Sequence, residues 1–169
     1  MFASPSTSYR TRHGMRNGIG NGRTALSDDQ IRRVAPSVYA EKPWQAMTHK
    51  YLFVPTAEIV GAMRREGFEV VQALQGNTRI EGKGDFTKHL VRFSMPKANQ
   101  ILGSVPELVL INSHDGTTSY RLMLGIFRMI CSNGLLMASD VISDLRFRHS
   151  KSLADEIISG WYCINPCME

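Results

Sequence analysis

Glu107-Leu-Val-Leu-Ile-Asn-Ser-His-Asp-Gly-Thr-Thr-Ser-Tyr-Arg-Leu-Met-Leu124 is the stretch in which apolar runs, turn chemistry and polar placement agree. Leu108 to Ile111 form an apolar run, and Asp115-Gly116 is a pair that tolerates positive φ in a tight turn. Tyr120 to Leu124 then resumes a strand-like pattern, so the segment predicts a β-hairpin. Asp115 and Gly116 make the turn, Asn112 and Ser113 are expected to bond the local backbone, and replacing His114 is expected to be mild. Beyond the hairpin, Gly125 to Asn133 predicts a short helix closed at Gly134, where a left-handed cap is wanted.

Upstream, Ser27 stands three residues before Gln30, the spacing of a capping box, and Ile31 and Val34 suggest a short helix that ends before Pro36. Tyr51 to Val54 reads as a short strand. Pro55-Thr56 opens a helix with Ile59, Val60 and Met63 on one face, terminated by Gly67. Phe68 to Gln75 is rich in β-formers. Thr87 to Met95 alternates, with Thr87, His89, Val91, Phe93 and Met95 on one face and Lys88, Leu90, Arg92 and Ser94 on the other. Pro96 to Pro106 reads as a loop, Leu135 to His149 as one or two strands, and Ser152 with Asp155 as the start of a final helix. The expectation is an α+β fold: an antiparallel sheet with helices packed on one face. Residues 26–160 form its single domain, preceded by an arm (1–25) and followed by a divergent tail (161–169).

The chain has 169 residues, is 43% hydrophobic and 21% charged, and its length suffices for one domain with a real core. No apolar run approaches a membrane span and no secretory signal core is visible, so a cytoplasmic protein without a membrane partner is expected. The odd count of three cysteines, Cys131, Cys163 and Cys167, makes neither a disulfide framework nor a paired metal-ligand spacing. No Gly-rich phosphate loop, helix-borne His pair or cysteine-pair motif occurs. Adjacent polar residues such as Asn112 to Asp115 point to opposite faces of a strand and do not assemble a catalytic triad. Neither a catalytic set nor a metal or cofactor is expected, and enzymatic activity is poorly supported.

The formal charge of +5 is uneven. Arg10, Arg12, Arg16 and Arg23 lie in an opening stretch without acids, and the remainder carries only +1. That composition predicts a disordered basic arm, which either attracts phosphates or is simply a solvated tail. In the body, Lys88 and Arg92 share a strand face that Arg121 joins if the strands are neighbours. Such a face would track phosphates, with Tyr120, Phe127 or Phe93 as stacking platforms and Arg128 as a further cation. The competing reading is a solvated face over core aromatics.

Several motifs extend beyond the hairpin: Val54-Pro55-Thr56, Arg65-Glu66-Gly67-Phe68, Thr87-Lys88-His89, Pro106-Glu107, Asn112-Ser113-His114-Asp115-Gly116, Ser119-Tyr120, Gly125-Ile126-Phe127-Arg128 and Cys131-Ser132-Asn133-Gly134-Leu135. On these residues the chain resembles the YfjQ/YafZ-like phage and plasmid proteins, a family of unknown function, over about two-thirds of its length. The resemblance implies a mobile-element protein of a bacterial or phage cytoplasm, concerned with DNA or host defence, and brings no active site. Members of that family are longer, and the ending Trp161 to Glu169 departs from the pattern, so a truncated or frameshifted terminus is an expectation. The element order is also similar to that of RecT-like single-strand-annealing proteins, an analogy of topology alone. The leading functional expectation is nucleic-acid binding, with single-stranded DNA binding or annealing as its finer form. The alternative is an interaction protein that occludes a host protein, with an enzyme third and oligomerisation open.

Overall fold

The computed structural model describes residues 15–20, 24–48, 51–96, 105, 107–131, 135–147 and 155–159, with the backbone alone at 15–17, 126–131 and 135–142. The fold is α+β. Six strands, β1 (Met15–Ile19), β2 (Glu69–Gly76), β3 (His89–Ser94), β4 (Glu107–Asn112), β5 (Tyr120–Cys131) and β6 (Leu135–Phe147), lie in chain order in one antiparallel sheet. Helices α1 (Asp28–Val34) and α2 (Thr56–Arg65) and a 3-10 turn at Pro36–Tyr39 all fall between β1 and β2. A second 3-10 turn, Gly84–Phe86, precedes β3.

Local chemistry sets these boundaries. Ser27 caps α1 as a capping box: its hydroxyl accepts from the Gln30 amide at 3.3 Å while the Gln30 side chain accepts from the Ser27 amide at 2.9 Å. The helix stops at Pro36, which begins the 3-10 turn. Helix α2 ends at Gly67, whose φ of +90° is left-handed. Gly116, at φ +76°, makes the expected turn between β4 and β5.

One face of the sheet carries Val91, Phe93, Leu108, Leu110, Leu122 and Leu124, and Ile31, Val38, Ile59, Val60 and Met63 pack on it to form the core. Ile157, in the helical residues 155–159, joins the same cluster. The opposite face is withdrawn from solvent as well: Leu74, Leu90, Val109, Ile111 and Met123 are buried there.

Four expectations are corrected. Residues 125–131, read as a helix, continue β5, because β6 pairs with β5 from Tyr120 to Cys131. Register shifts at Leu124/Gly125, Ile126/Phe127 and Met129/Cys131 break the two-residue alternation, which removes the strand period from the sequence. The proposed cap Gly134 lies outside the described residues. Residues 51–54 carry no regular secondary structure and are not a strand of the sheet. Part of the expected disordered arm is structured, since Met15–Ile19 forms edge strand β1 against β2. A Cβ at Gly18 would collide with the Leu74 side chain, so glycine permits that close pairing. Finally, Arg92 does not project into solvent; it is buried and paired with Glu107.

Candidate functional site

Two polar assemblies meet at the end of the sheet where β3 begins, one enclosed and one open. The enclosed one centres on Thr56 at the start of α2. Its Oγ1 lies 2.8 Å from His89 Nε2, 3.2 Å from His114 Nε2, 3.1 Å from Tyr120 Oη and 3.1 Å from Asn112 Nδ2. All five residues are fully buried. Strand alternation puts His89 and Asn112 on the helix-side face, where they are cross-strand partners, and Tyr120 on β5 faces the same way.

Proton bookkeeping orders the cluster. His89 Nδ1 stands 3.1 Å from the Thr87 carbonyl oxygen, which can only accept, so Nδ1 carries the proton and Nε2 accepts from the Thr56 hydroxyl. Asn112 Nδ2 donates to Thr56, and the Tyr120 hydroxyl donates to the Val54 carbonyl at 2.7 Å. Burial drives the His89 pKa down to about 4, against the opposing pull of the Thr87 carbonyl and Asp115, so the ring is neutral at pH 7. His114 packs against His89 and Phe53, with ring centroids 5.2 and 4.9 Å apart. A hydroxyl, an imidazole and a carbonyl in line resemble a nucleophile and its base. Here every member is sealed from solvent, and the assembly ties α2 and the 51–54 segment to β3, β4 and β5. Asn112 therefore bonds across the fold and not to its local backbone, and His114 is a fully buried member of the same cluster.

The open assembly lies beside it. A cavity of about 340 Å³ is lined by Gly76, Asn77, Thr78, Lys83, Thr87, Lys88, Asp115, Thr117 and Thr118. Its walls are the loop joining β2 to β3 and the β4–β5 turn. Lys83 bridges them through a 3.0 Å ion pair to Asp115. Burial works to raise the Asp115 carboxyl, but hydrogen bonds from Thr117, Lys83 and Ser113 outweigh it and hold the group below the usual carboxylate range. Lys88 is half-buried, and burial, followed by the neighbouring Arg121 guanidinium, lowers its ammonium pKa. Among the described residues no carboxylate forms an ion pair with Lys88.

The other sequence-derived cations divide sharply. Arg92 shares the face of Lys88 but is buried, bonded to Glu107 and to Gln72. Arg121 also lies on that face, as expected, and is paired with Asp144. Arg128 pairs by backbone with Met137, while its side chain, the side chain of Arg16, and all of Arg10, Arg12 and Arg23 lie outside the described atoms. Of the expected stacking platforms, Phe93 and Tyr120 are fully buried and the Phe127 side chain is not described. Sequence reading missed Thr56, which nothing but its place in the fold singles out, and the Lys83–Asp115 bridge. Among the described residues no group of His, Cys, Asp and Glu is arranged to hold a metal ion, and no helix is long and apolar enough to cross a membrane.

Comparison with known proteins agrees with the motif pattern. The chain is 35% identical over 157 residues to UPF0380 protein YafZ of Escherichia coli (strain K12) and 34% identical over 157 residues to UPF0380 protein YfjQ of the same strain. Each alignment takes in 92% of this chain and 56% of the relative, so the chain spans little more than half the length of the curated relatives it matches. No solved structure matches it. The domain of unknown function DUF932 matches residues 43–167, a range holding both polar assemblies, and the chain belongs to that family.

Proposed function

We propose that this is a nucleic-acid-binding protein of a mobile genetic element, contacting the phosphate backbone through the cavity at Lys88. The observation that carries the reading is the state of that lysine: a half-buried ammonium beside a second cation, facing a concave space, with no carboxylate to neutralise it among the described residues. A phosphate oxygen placed there would restore the charge balance that Arg92 obtains from Glu107 and Arg121 from Asp144. The hydroxyls of Thr78, Thr117 and Thr118 on the same wall add hydrogen-bonding groups suited to an oxyanion. Resemblance to phage and plasmid proteins supports the mobile-element setting. Phosphate contacts of this kind hold a strand without reading its sequence, as single-strand binding and annealing require.

A fluorescence anisotropy titration with single- and double-stranded oligonucleotides at two salt concentrations tests the proposal. Binding that weakens steeply with salt is the expected result. Absence of binding to either form at low salt would overturn it and favour occlusion of a host protein as the function.

A further inference from the structure

We infer that a second cavity, lined in part by Asp85 and Phe86 of the Gly84–Phe86 turn, receives an unpaired nucleobase; the inference rests on the nucleic-acid reading above. This space, about 500 Å³, is lined by Arg32, Pro36, Tyr39, Ala40, Glu41, Lys42, Asp85 and Phe86. Residues in and around the turn contribute to both cavities. Lys83, Thr87 and Lys88 line the first, and Asp85 and Phe86, within the same six residues, line the second.

The two cavities differ in chemistry. Arg32 and Lys42 are matched in number by Glu41 and Asp85, so the second space is not an anion seat. It offers flat surfaces instead. The guanidinium carbon of the exposed Arg32 lies over the half-buried Tyr39 ring, 4.1 Å from its centroid, and Phe86 packs on Trp44 with centroids 5.4 Å apart. Half-buried aromatic faces and an arginine plane are the groups on which bases stack irrespective of sequence. The carboxylates of Glu41 and Asp85, both exposed, accept hydrogen bonds and suit the exocyclic amino groups of adenine and cytosine, which thymine lacks. Sugar-phosphate would then occupy the cavity at Lys88 and a splayed base the cavity at Tyr39, as an unpaired strand allows.

The test uses the full chain and oligonucleotides of about 12 nucleotides, within the length one such domain covers: oligo(dA), oligo(dT) and an abasic strand carrying the same phosphates. Oligo(dA) should bind about tenfold more tightly than the abasic strand, as one stacked base contributes, with oligo(dT) between them. Arg32→Ala should bring oligo(dA) down toward the abasic value and leave abasic binding unchanged, whereas the exposed pair Glu41→Ala and Asp85→Ala should erase the preference of dA over dT. Equal binding of oligo(dA) and the abasic strand by the parent would overturn the inference and leave the phosphate reading standing; failure of all three strands to bind would remove both. A parent-like dA-to-abasic ratio in Arg32→Ala, with an unchanged thermal melt, would also overturn it.

Discussion

Lys88 and Arg92 stand four residues apart on one strand face, and the protein treats their charges in opposite ways. Arg92 lies deep in the sheet where Glu107 on the neighbouring strand meets it, and it is buried as an ion pair bonded also to Gln72. Lys88 lies at the strand's beginning, where the nearby strand offers Arg121 in place of a carboxylate. His89, next to Lys88 on the opposite face, refuses charge altogether. Strand β3 and the residue before it thus hold a cation that is neutralised, a base kept neutral and a cation that no carboxylate ion-pairs among the described residues. The identity of a basic residue says little about its use; the residue facing it across the ladder says much more.

The contrast can be broken most forcefully at Arg92. Arg92→Ala strands the Glu107 carboxylate in a buried site and should cost about 3–5 kcal/mol in chemical denaturation. Burial already pushes the Glu107 pKa up against the pull of Arg92, so the loss should shrink as the pH is lowered and Glu107 in the variant becomes neutral. A loss below about 1 kcal/mol would mean that the pair is open to water.

Next in size is the acid response of His89. The unfolded ring takes a proton near pH 6.5 and the folded one only near pH 4. Between those values the unfolded chain binds more protons, so stability is fully present above pH 6.5 and falls by about 3 kcal/mol as the pH drops to 4. His89→Gln should flatten that slope, even at some cost in stability at pH 7. A parent whose stability is level across the window would show that the ring is not sealed.

Gly116→Val should cost about 1–3 kcal/mol, because a β-branched residue strains at φ +76° and because Met47 Sδ sits 2.9 Å from where a Cβ would stand. His114→Ala should cost more, since it empties a fully buried site against Phe53 and His89. Thermal melts of the two variants give the order directly, and the opposite order would restore the view of His114 as a turn residue. Smallest is Lys88→Met, expected to change stability by no more than about 0.5 kcal/mol, since the stem stays packed and only an uncompensated charge is lost.

Where one local signal sufficed, the sequence was legible. The Ser27/Gln30 box, the Asp115-Gly116 turn, the 3.6-residue stripe of α2 and the alternation of β3 each depend on neighbours in the chain, and each was read correctly. The second half of β5 was not, because its bulges erase the alternation and only pairing with β6 makes residues 125–131 a strand. Arg92 was misplaced because a sheet covered on one face looks, in sequence, much like one buried on both. The Thr56 cluster was illegible for a different reason: Val54, Thr56, His89, Asn112, His114 and Tyr120 come from segments up to 66 residues apart, and their spacing carries no period. Of the proposed binding site, Lys88 and its companion Arg121 are visible in the sequence pattern, whereas the cavity wall at Lys83, Asp115 and the threonines exists only after two loops converge.

The most direct test of an anion-binding Lys88 is the salt dependence of oligonucleotide affinity in Lys88→Met beside the parent. Loss of one phosphate contact should lower the magnitude of the slope of log affinity against log salt by about 0.7 for a single strand, and should weaken binding by a similar factor for every sequence tried. A variant with the parent's slope and affinity would contradict the account and leave Lys88 as a solvated lysine at the rim of the sheet.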